Sequence, residues 1–520
     1  MDRPRARGLA WGWLAVLALA CALRVPSVFA GLPYLGYVDE GHTLHRVVRL
    51  LSTRHWDPGW YTYPSLPLYA IAGAAAALSP AYRAIHGSGL ERDLSPFPPA
   101  YYDLVEPPEL IVIARCVVLA VSLGTVVLTG LLARRLAGEA AGLGAALIAA
   151  LLPALVIRGA VVTVDPFATL FTVAAILCAE IAATSVRFWG PTLLAGAMVG
   201  CAASSKYPAA MAILAAAPAL ARLPTDRHGK LRALELFLAA ALVASLVTMP
   251  ALALRNTAVL THILNQSAAY STSAIGSYWD QALRRAEWSQ PFPHPELGVV
   301  FLLLLGAAWV GALRDRRLRP PVVAWTLCAL VWCLAFLQYP FRTFRNLLPL
   351  LPVACVVVAA VYARLRERLP RRYLVDFAAA AVVLALFLPA DLDYARARLQ
   401  LDDSRVQAVD WLAANVGPGD EVVVSAELAI LPRELRRLPV EPVVLAAPRA
   451  RAWLRQHPRV EFVVTGRLKP GRAGDVATFL ERSRIGRAFR PAARFGEQPS
   501  TRVWRGNNQL VLIYQRRVRS

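Results

Sequence analysis

The chain has 520 residues, of which 57% are hydrophobic and only 17% charged, and its formal net charge is +22. An ordinary soluble domain has no use for so much apolar content, so most of the chain is expected to lie in lipid. The positive charge is nearly all Arg in short runs beside apolar segments, such as Arg134-Arg135, Arg314 to Arg319 and Arg364 to Arg372. That is the positive-inside pattern of a polytopic protein, and it argues against a nucleic-acid partner.

A helix crosses a hydrocarbon core in roughly 20 residues. The first apolar run, about Leu9 to Ala30, follows three Arg and lacks a small-residue cleavage site, which predicts a retained first helix and not a signal peptide. Further runs lie at about 110 to 133, 140 to 157, 166 to 184, 190 to 205, 207 to 222, 232 to 253, 297 to 313, 321 to 338, 346 to 363 and 373 to 389. The expectation is an all-α polytopic membrane domain of about 11 helices over residues 1–389. With a cytoplasmic N-terminus, the Arg runs fall inside, while 31–109, Gly159 to Asp165, Ser204 to Tyr207, 254–296, Gln338 to Asn346 and the tail fall on the outer face. Tyr63 to Leu78 is apolar but short and Pro-broken; counting it as a span would invert every later loop, so it reads as a juxtamembrane or re-entrant segment.

Residues 390–520 carry more Arg, Asp, Pro and Gly and no long apolar run, which predicts a small extracytoplasmic α/β domain. Ser404 to Val416 has helical spacing, Gly417-Pro418-Gly419 stops it, and Glu421 to Ser425, Glu461 to Thr465 and Gln509 to Tyr514 read as short strands. All seven Cys lie within apolar runs, so no disulfide framework or metal site is expected.

Chemistry is sought in the outer loops. Asp39 and Glu40 come close behind the first helix. They are followed by an amphipathic stretch with Leu44, Val47, Val48 and Leu51 on one face and His45, Arg46 and Arg49 on the other. A carboxylate held at headgroup depth can serve as a general base; an ordinary loop pair or helix cap would look the same. Asp165 precedes Pro166 at a helix start, where it could cap or bind. Lys206 occupies the tip of a tight hairpin, where it either snorkels or receives an anion. Arg342 and Arg345 stand before a helix, and two guanidinium forks suit a lipid-linked phosphate or a headgroup.

In order along the chain, Asp39-Glu40, Tyr63-Pro64-Ser65-Leu66-Pro67-Leu68, Arg115, Val164-Asp165-Pro166, Ser205-Lys206-Tyr207-Pro208 and Arg345-Asn346-Leu347-Leu348-Pro349-Leu350-Leu351-Pro352 together resemble the GT-C glycosyltransferases. The likeness is to the bacterial branch related to protein O-mannosyltransferases and lipid A aminoarabinose transferases. The resemblance implies a hexosyl- or pentosyltransferase of the cytoplasmic (inner) membrane, moving a sugar from a polyprenyl-phosphate donor to a lipid, glycan or protein acceptor with inversion. Asp39 matches the catalytic base; Glu40, Asp165, Tyr63 and Arg115 would bind substrate, and Lys206, Arg342 and Arg345 would neutralise the departing phosphate. Ser65 stands where the family often has a second proline, and no Asp-X-Asp pair occurs in the second outer loop, which fits the metal-independent branches. A transporter or flippase for a lipid-linked or anionic substrate is the alternative, although no inverted repeat is seen.

Overall fold

The computed structural model describes residues 3–90, 94, 105–272, 299–337, 344–400, 403–428, 430–457, 459–467, 476, 479–480, 483, 486–496 and 510–517. It divides into two compact units, one of Met1–Val28, Arg46–Arg92 and Val112–Ala395, the other of Phe29–His45, Asp93–Ile111 and Arg396–Ser520.

The first unit is helical. Among the described residues, six helices are long and apolar enough to cross a membrane, beginning at Ala10, Glu109, Asp165, Arg227, Arg345 and Arg372. Shorter apolar helices lie at Glu139–Leu151, Trp189–Ala203, Tyr207–Arg222, Val300–Arg314 and Arg319–Ala335. The chain is a multi-pass membrane protein. The Tyr63 to Leu78 stretch belongs to a 21-residue helix, Leu66–His86, with Pro67 in its first turn and a left-handed Gly87 closing it. That helix is not among the six.

Several apolar runs that read as continuous are interrupted at proline, two of them within the 140–222 region. The 140–157 run is a helix Glu139–Leu151, an extended Leu152 and a short helix Pro153–Ile157. The 207–222 run alternates tight 3-10 turns at Tyr207–Met211 and Ala217–Arg222 around Ala212–Ala216, because Pro208 and Pro218 restart the backbone. The first break has a structural repair. Pro153 has no N–H to offer the Ala149 carbonyl four residues back, and the fully buried Arg24 fills the gap. Its guanidinium donates to the carbonyls of Ala149 (3.3 Å), Ala150 (2.8 Å) and Ala20 (2.9 Å), and its Nε to Ser122 Oγ (3.0 Å).

Where small residues recur every four positions, helices touch backbone to backbone. On Trp189–Ala203, a Cβ at Gly196 would lie 2.1 Å from the Phe237 carbonyl oxygen, and one at Gly200 would lie 2.3 Å from that of Ala241. Both acceptors belong to the Arg227–Thr248 helix. Around this seam, Phe188, Ala195, Val199, Ala216, Leu220 and Phe237 form a buried apolar cluster.

In the second unit a five-stranded sheet has the order β2-β1-β3-β5-β4, with β1 Val422–Ser425, β2 Val443–Leu445, β3 Phe462–Arg467, β4 Phe489–Phe495 and β5 Leu510–Arg516. The first three strands run parallel, and β5 pairs antiparallel with both β3 and β4. All four residues of β1 are buried. Val422 and Val424 pack with Val409 and Leu412 of the Ser404–Asn415 helix, whereas Val423 packs with Ala450 and Leu454, so the pleat sends alternate side chains into two cores. The expected small α/β element is therefore present, with β2 and β4 added to the strands read from sequence.

Gly196→Val should push the two helices apart and cost ~2 kcal/mol or more, lowering the thermal unfolding midpoint in detergent, whereas Gly190→Ala, which has open space around it, should leave it unchanged.

Candidate functional site

The expected site residues fall into two groups, one in each unit. In the first unit the geometry centres on Lys206. The hairpin between Trp189–Ala203 and Tyr207–Met211 turns at Ser204-Ser205-Lys206, where Lys206 is extended (φ −152°) and only 7% exposed. Its ammonium donates to Asp165 Oδ1 at 2.5 Å and to Asn346 Oδ1 at 2.7 Å. It does not snorkel. Asp165, 1% exposed, is the first residue of the Asp165–Ala182 helix, yet its side chain makes the ion pair while Val164 takes the cap position. Asn346 lies on the 3-10 turn Phe344–Leu350, and its carbonyl accepts from Nε1 of the fully buried Trp332 at 2.8 Å. Arg345 is on the same turn, one residue before Asn346. Residue order does not mark Asn346 as a site residue; it stands inside the Arg345 motif, and only its partner in the fold reveals what it holds.

The juxtamembrane stretch is stitched to this hairpin. The Leu66 amide donates to the Ser204 carbonyl at 3.1 Å, and the Tyr207 hydroxyl donates to the Tyr61 carbonyl at 2.7 Å. Tyr63 lies between these two ties, edge-on to Trp60. The turn before it is built on Asp57, whose Oδ1 accepts from the Tyr61 hydroxyl (2.6 Å) and the Gly59 amide (2.8 Å), with Arg255 3.8 Å from Oδ2. Burial pulls the Asp57 carboxyl up, but these donors and the Arg255 charge outweigh it and hold it below its ordinary value. Arg115 is tied to the first helix. It is 1% exposed and donates to the Val28 carbonyl at 3.1 Å, near the end of the first helix. Arg342 lies outside the described residues.

In the second unit Asp39 and Glu40 start the Val38–Thr53 helix. Asp39 is half-buried, while Glu40 is 1% exposed and its Oε2 accepts from the Gly36 amide at 3.0 Å, fastening the turn that carries Asp39. Of the amphipathic pattern, Leu44, Val47 and Val48 are buried and Arg49 is exposed, while Leu51, His45 and Arg46 are all half-buried. Just upstream, the buried Tyr34 is gripped by residues of the C-terminal segment. The Arg405 guanidinium lies 3.6 Å over its ring, and its hydroxyl accepts from the Leu431 amide at 3.1 Å. Arg405 is itself held by both oxygens of Asp403 at 2.8 Å. The α/β sheet and the acid-bearing loop thus share one folded unit.

Removing one partner of a buried ion pair strands the other charge. Lys206→Met should therefore cost ~3–5 kcal/mol in unfolding, and adding Asp165→Asn should recover part of that loss in a double-mutant cycle. Because the folded-state value of Asp57 is depressed, its contribution to stability is present above its unfolded value and lost as pH falls through the folded one. An unfolding series across the acid range should show that loss in the parent and a flatter profile in Asp57→Asn.

A family model described as dolichyl-phosphate-mannose-protein mannosyltransferase matches residues 109–253, which include Arg115, Asp165 and Lys206. No curated protein matches the chain by sequence. Among solved structures, ArnT from Cupriavidus metallidurans in the apo state superposes with a TM-score of 0.57 at 12% identity, covering 98% of each chain. ArnT from the same organism bound to undecaprenyl phosphate gives 0.55 at 14% identity, again over 98% of both. The archaeal oligosaccharyltransferase AglB from Archaeoglobus fulgidus, in complex with an inhibitory peptide and a dolichol-phosphate, gives 0.51 at 12% identity over 89% of this chain and 70% of its own. At these identities the superpositions establish a common fold. By that fold and by the family-model match, the chain resembles the GT-C glycosyltransferases, as its motifs implied.

Proposed function

We propose that this protein is a glycosyltransferase that moves a sugar from a polyprenyl-phosphate donor to an acceptor at the outer face of the cytoplasmic membrane. The observation that carries the reading is the buried Lys206, fixed between Asp165 and Asn346, with Arg345 on the same turn as Asn346. Its motifs lie in the order the GT-C resemblance requires, and the family-model match favours an enzyme over a transporter.

In this reaction Asp39 takes a proton from the acceptor hydroxyl or amine, the new bond forms at the anomeric carbon, and the bond from that carbon to the phosphate oxygen breaks with inversion. The electron pair leaves on the polyprenyl phosphate, whose charge Lys206, Arg345 and Arg342 neutralise. Phosphate so stabilised is a competent leaving group, so a base and several cations suffice without a separate acid. Glu40, braced against the Gly36 amide, keeps Asp39 in place; Asp165 and Tyr63 contribute to the donor side. In this scheme residues 1–389 form the membrane domain, and residues 390–520 lie on the extracytoplasmic side.

The decisive measurement is transfer of labelled sugar from a set of polyprenyl-phosphate donors by the reconstituted protein. Asp39→Asn should lower turnover by at least ~100-fold while donor binding persists, and Arg345→Ala should weaken both. Full activity in Asp39→Asn would remove the base assignment.

A further inference from the structure

Away from the Lys206 cluster, the first unit contains a groove of ≈ 360 Å³ between the end of the Val38–Thr53 helix and the Leu66–His86 helix. Its walls include Leu50 and Leu51 from the amphipathic helix and Ala75 and Ala76 from the facing one, with Arg54 and Arg83 as the cations that line it. That volume is within the range of small-molecule and lipid-chain sites. The Ala side chains leave the space open, and the Leu side chains make its wall apolar. Arg83 has an ordinary explanation in the last turn of its helix, where a cation suits the dipole. Arg54 directly follows Thr53 at the end of its own helix with φ +53°, where the same dipole favours a cation.

The same Leu66–His86 helix presents Leu78 (48% exposed) and Ile85 (78% exposed) to its surroundings. Such exposure on a helix of a multi-pass protein suits contact with acyl chains. We propose that the groove is a binding site for an anionic phospholipid of the bilayer: one acyl chain lies along Leu50, Leu51, Ala75 and Ala76, and the headgroup phosphate is taken by Arg54 and Arg83. Two guanidinium forks match phosphate oxygens, and a zwitterionic headgroup brings a compensating cation that weakens the pairing. The site stands on the groove alone and is independent of the transfer reaction.

The purified full-length protein is titrated in detergent with phosphatidylglycerol or phosphatidylcholine, and bound lipid is counted by native mass spectrometry. Phosphatidylglycerol should be retained in preference, and at least about fivefold less should be retained by the Arg54→Gln/Arg83→Gln variant. Ala76→Leu, which fills the groove from an exposed position and keeps both charges, should lower retention as well. Thermal unfolding of each variant checks that it is folded. Equal retention of the two lipids, or unchanged retention in both folded variants, would overturn the proposal. So would displacement by excess inorganic phosphate, which would leave the acyl chain without a role. Displacement by an equimolar amount of undecaprenyl phosphate would make the groove part of the donor's path and equally end it. Loss of sugar transfer with phosphatidylglycerol retention intact would instead count against the proposed function and leave the groove standing.

Discussion

A charge buried among apolar helices survives only with a partner, and the Asp165–Lys206 pair is where that constraint shapes this protein most. Each side chain is nearly inaccessible, and water cannot solvate either one. The pair joins the start of the Asp165–Ala182 helix to the tip of the next hairpin, and Asn346 draws a third element, the 3-10 turn Phe344–Leu350, to the same ammonium. A second ion pair, Glu180 with Arg222 at 2.5 Å, sits near the other end of the same helix. Eighteen residues of helix span about 27 Å, so the two pairs mark the ends of a segment whose middle has no charge to satisfy.

The interruptions of the helices obey the same demand that polar groups be matched. A proline in an apolar run removes a backbone donor and leaves a carbonyl without its partner, which is costly where water is scarce. At Leu152-Pro153 the carbonyls concerned are those of Ala149 and Ala150, and Arg24 donates to both. Around Lys206 the prolines act differently: Pro208 is the second residue of a 3-10 segment that starts at Tyr207 directly after the hairpin tip, and the Tyr207 hydroxyl reaches the Tyr61 carbonyl. Broken helices at this end of the unit are therefore part of how irregular backbone is tied to the juxtamembrane stretch.

The second unit binds its acidic loop by means unlike those of a membrane bundle. A stacked guanidinium, a bidentate carboxylate and one backbone hydrogen bond hold Tyr34, and the Glu40–Gly36 contact holds the turn that follows. The C-terminal segment thereby gains a structural part in the environment of Asp39.

The apolar runs, the Arg bias, the amphipathic face of Val38–Thr53 and the Ser404–Asn415 helix with β1 were all legible from residue order, because periodicity and composition act locally. Strand β4 was not: its Arg-rich, Pro491-bearing stretch has no alternating apolar pattern and becomes a strand only by pairing with β5 across a register irregularity. Lys206, Asp165 and Arg345 could be named as candidates, but spacing could not say that Lys206 is buried between Asp165 and Asn346, nor that Arg115 donates to the Val28 carbonyl. Those facts are settled by which elements meet, 41 residues apart for the ion pair and 140 for the amide. A local pattern decides what a segment can be; the desolvation of a charge is decided by everything that folds around it.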